Sequence, residues 1–465
     1  MKNLFKLILL LCIAINAKAQ QIDFVKNMDE AVKIATKKKK PLFILIETPS
    51  DAHNQIAGLA DPEVVELFNK NFVSIKLPFA DTEAQALRKK YSTINKFPAF
   101  IFMHPDRELF FTDYGSAPVK FKYVNMVNNA LNASTQKTLT VYEKEYLANK
   151  KDINALKAYI DARKKQGMND NADLIEDYVN LLTISDFNNY QTVLYILEAG
   201  PYLDGNAYKF SRTNYKIVDS IYKHEPLEKR QAINANLKAN TLNVAIKTKN
   251  IQKAQVVANF MRNTWGKNYV QGAQSYEYEI MNFYRSINDT AQYFRNAKNY
   301  YDRFYMTVSA DSIKKIEERN KEEMLARAKR TTPDPKYKLT REQVDSLMKL
   351  PNSKITKRTE TYATVTGMGS TYANQLNNAA YSFYELGTKD LNHLSKALIW
   401  SKRSITLSPQ ANYFDTLAHI YYAMGIYNEA TATQKLAITK ASEENQGDMK
   451  QRFEKELQKM LNKTL

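Results

Sequence analysis

Glu47, Asp51 and His53 place two carboxylates and an imidazole within one short stretch, the residue types from which general acid–base catalysis is built. No nucleophile and no oxyanion donor accompany them, so a polar, solvated loop fits these residues better than an active site does. The other histidines, His104, His224, His393 and His419, never fall at the i, i+4 spacing of a helical metal pair, and the single cysteine, Cys12, cannot complete a ligand set. His104 lies in a turn before Pro105, and His419 reads as a surface or packing residue of a helix. Gly367-Met368-Gly369-Ser370 is too short to cradle a phosphate, and no nucleophile-elbow, phosphate-loop or dinucleotide fingerprint occurs. No catalytic residue, metal or cofactor is expected.

Cys12 belongs to a segment with the pattern of an export leader. Lys2 and Lys6 precede the apolar run Leu7 to Ile15, and Ala17-Lys18-Ala19 supplies small residues at the spacing a signal peptidase reads. Residues 1–19 are therefore expected to be removed, with cleavage between Ala19 and Gln20. The run falls well short of the ~20 apolar residues that span a bilayer, and no other window is apolar enough, so no transmembrane segment is expected. Leu9-Leu10-Leu11-Cys12 resembles a lipid-attachment site, but the residue before the cysteine should be small and is Leu11. The mature chain is expected to be exported to the periplasm, with the extracellular space as the alternative. Without cysteine it has no disulfide, and its stability must come from apolar burial.

The formal charge is +18, and loss of Lys2, Lys6 and Lys18 leaves the chain basic. The lysines and arginines are scattered among acids, which describes a solvated basic surface better than a nucleic-acid stripe. Nucleic acid is not expected as a partner.

Residues 20–134 alternate helical and strand patterns. Met28, Ala31, Val32 and Ala35 share one helical face, and Pro41 to Ile46 is an apolar run of strand length suited to a buried parallel strand. Asp61 should cap a helix opened by Pro62. Phe72 to Leu77 is the next strand, Thr82 to Tyr91 a helix and Pro98 to Phe102 a strand. Met103 to Glu108 then turns into Leu109-Phe110-Phe111, and a closing helix runs from about Lys120 to Leu131.

This order, with Asp61-Pro62-Glu63-Val64-Val65-Glu66, Asn71-Phe72-Val73 and Phe97-Pro98, resembles the thioredoxin-like domains of secreted bacterial proteins of the Bacteroidetes type. The resemblance implies a cis peptide bond at Phe97-Pro98, facing the loop where the family carries its redox cysteine pair. Counted from the strand, that pair would fall at Asp51 and Asn54; counted back from Asp61-Pro62, it would fall at Thr48 and Asp51. Neither register holds sulfur, and thiol–disulfide exchange requires a thiolate. The implied domain is redox-inactive.

From about Val141 to Arg330 helical spacing is continuous. Ile153, Leu156, Tyr159 and Ile160 form one stripe, Ala254, Val257, Ala258 and Met261 another, and Ala297, Tyr301 and Phe304 a third. The dense tyrosines suit helix seams, where the ring packs and the hydroxyl reaches water. Residues 135–330 are assigned to an α-helical, degenerate repeat region, and residues 331–370, with Pro333, Pro335 and Pro351, to a linker or insertion.

In residues 371–465, Leu376 to Tyr384 followed by Ala397 to Pro409, and then Asn412 to Ala418 followed by Tyr421, Gly425, Tyr427, Ala430 and Ala437, resemble tetratricopeptide repeats. Small residue, aromatic, turn and closing proline recur about 34 residues apart. The resemblance implies first helices lining a groove, with residues 377–385 and 414–423 presenting that surface, Tyr381 and Tyr422 as candidate groove residues, and Trp400 and Ala430 on the second helices packed between repeats.

The fold class expected is multidomain: a thioredoxin-like α/β domain followed by an all-α solenoid. The function expected is non-enzymatic, an exported factor that holds a protein or polypeptide partner in the helical groove and along the strand edge beside Phe97-Pro98. Alternatives are a structural subunit of an envelope complex with one fixed partner, or a redox accessory, which the missing cysteine argues against. Oligomeric state is not legible.

Overall fold

A computed structural model describes residues 21–48, 56–91, 93–331 and 371–465. Cys12 and the leader, Asp51, His53 and Asn54 of the loop, and most of the expected linker lie outside the described residues. The chain forms two compact units, Met1–Ala245 and Ile246–Leu465. That division falls inside the stretch assigned to a single helical region.

The first unit opens with a five-stranded mixed sheet, β1 (Phe24–Val25), β2 (Leu42–Glu47), β3 (Val73–Pro78), β4 (Ala99–Met103) and β5 (Leu109–Tyr114). Its spatial order is β1-β3-β2-β4-β5. β3 pairs in parallel with β1 and β2, and β4 pairs antiparallel with β2 and β5. Strand β2 is central and buried along its length, which is why it reads as an unbroken apolar run. Its alternate side chains serve two cores. Leu42, Ile44 and Ile46 pack with Ala31, Ala35, Leu87 and Tyr91, from helices α1 (Met28–Lys38) and α3 (Thr82–Lys90) and the residue after α3. Phe43 and Leu45 pack with Val64, Phe68, Tyr123 and Val127, from α2 (Pro62–Asn71) and α4 (Lys120–Ser134). The Phe43 ring lies 4.5 Å from that of Phe68 and 5.2 Å from that of Phe102.

Local chemistry sets the element ends. The Asp61 carboxylate accepts from the Glu63 N–H at 3.0 Å, with Pro62 at the first helical position. Asn27 and Asp81 cap α1 and α3 in the same way. The Phe97–Pro98 bond that leads into β4 is cis. These features are compatible with a thioredoxin-like domain.

Six short helices, α5 (Leu139–Ala148), α6 (Ile153–Lys165), α7 (Ala172–Val179), α8 (Tyr190–Glu198), α9 (Asn206–Ser211) and α10 (Tyr215–His224), and most of the longer α11 (Leu227–Lys247) belong to the first unit. Leu156, Tyr159 and Ile160 are buried against Ile175, Tyr178 and Ile196, as the stripe on α6 requires.

The second unit contains α12 (Ile251–Asn263), α13 (Tyr269–Ser286), α14 (Thr290–Tyr301) and α15 (Ala310–Thr331), followed by α16 (Thr371–Glu385), α17 (Leu391–Leu407), α18 (Ala411–Ala423), α19 (Tyr427–Glu443) and α20 (Gly447–Leu461). From α16 to α20 each helix packs on the next, and α16 also meets α18. Ala380, Ala397, Ala418 and Ala430 are fully buried, the small residues that let helix axes approach. Gly425 turns the chain between α18 and α19 at φ +78°, a backbone that costs a side-chain-bearing residue energy. Trp400 is fully buried among Tyr301, Phe383 and Ala397. Its indole N–H donates to Asp302 at 3.0 Å, and the same carboxylate receives Lys396 at 2.6 Å. Asp302 opens a single π-helical turn, Asp302–Met306.

Candidate functional site

Three helices of the second unit each direct one polar stripe toward a common cavity of about 510 Å³. From α16 come Asn377, Asn378, Tyr381 and Tyr384; from α18, Asn412, Asp415, Thr416 and His419; from α20, Arg452, Glu456 and Lys459. Apart from the adjacent pairs Asn377/Asn378 and Asp415/Thr416, the spacing within each helix is three or four residues, so each set lies on one broad face. The opposite faces are apolar: Leu376, Ala380 and Phe383 on α16, Ala411 and Ala418 on α18, and Phe453 and Met460 on α20 are buried. The apolar stripes bury the helices and thereby fix the polar ones around a shared space.

Hydrogen bonds order the floor. His419 Nδ1 lies 2.8 Å from the main-chain oxygen of Asp415, so it donates there and turns Nε2 toward Glu456, with Nε2 and Oε2 3.5 Å apart. The Asp415 carboxylate accepts from Gln434 Nε2 at 2.7 Å. Lys459 meets the other oxygen of Glu456 at 2.7 Å. The Tyr384 ring stands edge-on to His419 at 5.0 Å, and the Tyr381 ring lies 5.8 Å from that of Tyr384. Burial raises Asp415 above the ordinary carboxylate range, and the nearby His419, Gln434 and Arg452 oppose that rise.

Of the two tyrosines singled out from the sequence, Tyr381 lines this cavity and is 40% exposed. Tyr422 is not among the lining residues: it packs beside Ala418, Ala430 and Met460, with its ring 5.0 Å from that of Tyr427. Of the two positions expected for His419, surface or packing, it holds the packing one: α18 turns it inward between two carboxylates. Asn377 and Asp415 fall within the stretches 377–385 and 414–423 expected to line a groove, whereas sequence reading overlooked Asn412 and the whole stripe on α20. The signal was present as polar residues at matching positions on α16 and α18: Asn377, Tyr381 and Tyr384 correspond to Asn412, Thr416 and His419.

The loop of the first unit is described only at its edges. Glu47 does not belong to it: it is the last residue of β2, paired in register with Pro78, 8% exposed, and its carboxylate meets Lys76 at 2.5 Å. It is withdrawn from any loop constellation because the strand continues one residue beyond Ile46. Thr48, the next residue, is half-buried. Among the described residues no three His, Cys, Asp or Glu side chains are grouped to hold a metal ion, and no helix is long and apolar enough to cross a membrane. No family model and no curated protein matches the chain.

Proposed function

We propose that this is an exported, non-enzymatic polypeptide-binding or assembly factor. On this reading the amino-terminal unit carries a redox-inactive thioredoxin-like domain, and α16 to α20 form a tetratricopeptide-type groove that holds an extended segment of a partner protein. The observation that carries the reading is the convergence of the polar faces of α16, α18 and α20 on one open cavity. Asn378 and Asn412 offer a carbonyl and an amide on each side chain, the pairing an extended main chain needs for its N–H and C=O groups. Tyr381 adds an exposed aromatic surface at low conformational cost. A volume of about 510 Å³ suits a few residues of such a segment. The sequence argues against redox chemistry, since the only cysteine lies in the leader.

The test is fluorescence anisotropy of labelled, unstructured peptides titrated with the full mature chain and with its Tyr381→Ala and Asn412→Ala variants. Saturable binding that weakens in both variants is the expected result. No binding to the unaltered chain, or binding indifferent to both changes, contradicts the proposal.

A further inference from the structure

The groove's inner end is rich in acceptors. Asn377 is only 5% exposed, its side chain lines the cavity, and its Oδ1 has no hydrogen-bond partner. Asp415 and Glu456 bring carboxylates with 14% and 20% side-chain exposure. Burying a carboxylate is costly unless a cation or several donors compensate. Here His419 faces both carboxylates, Gln434 donates once to Asp415, and Lys459 engages Glu456 from the solvent side. Arg452, exposed on α20, also lines the cavity and offsets part of the negative charge. Burial remains the largest influence on Asp415 and raises it. The Tyr381 and Tyr384 phenols are also raised, first by burial; the Asp415 and Glu456 charges add to the rise. Asp415 and Glu456 line the same cavity as those two rings, and aromatic faces next to carboxylates favour a cation.

We infer that Asn377, Tyr381, Tyr384, Asp415 and Glu456 form a cation subsite that takes a lysine or arginine side chain of the bound polypeptide. The inference rests on the polypeptide-binding reading and names the segment it selects. An ammonium or guanidinium brings only donors, which the orphaned Asn377 oxygen lacks and which the two carboxylates accept beyond the bonds they already make. Its aliphatic stem would lie along the tyrosine rings. The local preference runs against the net positive charge of the chain, so it must act at short range.

The experiment uses the full mature chain and three synthetic peptides identical except at one position, which holds lysine, norleucine or glutamate. Lysine is expected to bind about tenfold more tightly than norleucine, and glutamate more weakly than either. Glu456→Gln and Asp415→Asn should each remove most of the lysine peptide's advantage over the norleucine peptide. Thermal unfolding of each variant checks folding, and the Glu456 variant, on the more exposed helix, carries the test should the Asp415 variant fail to fold. Equal binding of lysine and norleucine, or a preference for glutamate, overturns the cation subsite and leaves polypeptide binding standing. Failure of all three peptides to bind overturns both.

Discussion

Trp400 and Tyr381 sit on neighbouring helices and are expected to fail in different ways when truncated. Trp400 is sealed among aromatic and alanine side chains and its N–H is held by Asp302. Trp400→Ala should therefore cost about 3–5 kcal/mol, read from the shift in a denaturant unfolding curve. Tyr381 is 40% exposed, and Tyr381→Ala should leave that curve nearly unmoved while weakening peptide binding. Equal destabilisation by the two changes would return Tyr381 to the core. The tryptophan's burial was legible in the sequence through the resemblance to tetratricopeptide repeats, which puts it on a second helix packed between repeats. The inward turn of His419 was not, since an imidazole suits a surface or an interior equally and only α20, packing opposite, decides. Glu47 shows the same limit: the apolar run ended at Ile46, but ladder pairing with β3 extends the strand by one residue and buries the carboxylate against Lys76.

At the scale of elements, capping and periodicity carried most of the information. Asp61 and Pro62 start α2, the runs at 42–47, 73–78 and 99–103 form strands, and alternation on β2 supplies two cores. What escaped was the third wall of the groove, because Gly447–Leu461 lacks the small-aromatic-turn signature and shows only an amphipathic face. Close approach of elements is equally silent in sequence. Gly58, in the short 3₁₀ turn Ala57–Ala60, lies where an added Cβ would meet the Tyr123 ring at 2.6 Å, the Ala117 carbonyl at 2.8 Å and the Val119 carbonyl at 2.9 Å. Two of those neighbours are backbone and cannot swing away. Gly58→Ala is expected to destabilise the fold by about 1–3 kcal/mol, and an unchanged unfolding midpoint would show that the turn and α4 separate freely.

Over the whole molecule, the division at Ala245/Ile246 left no mark in composition, because α11 runs through it without proline, glycine or a change of pattern. Both units share a dependence on buried tyrosines. Burial pushes Tyr123, Tyr146, Tyr222 and Tyr413 up to about 12, against about 10 in an unfolded chain. A raised folded-state value means that these groups stabilise the fold below pH ~10 and that the contribution is lost as pH climbs through about 12. Tyrosinate absorbance should therefore rise in two steps, exposed phenols near pH 10 and these later, the second step accompanied by loss of helical circular dichroism. A single step near pH 10 with helicity retained would contradict that burial. The polypeptide-binding account stands most directly on where a bound chain touches α16 to α20. A photo-reactive phenylalanine analogue placed at Asn378, on the groove face, or at the exposed Ile399 or Leu436 of the alternate helices α17 and α19 can be irradiated with a bound, labelled extended peptide. Adducts from position 378 and none from 399 or 436 are expected; adducts from 399 and 436 with none from 378 would contradict the account.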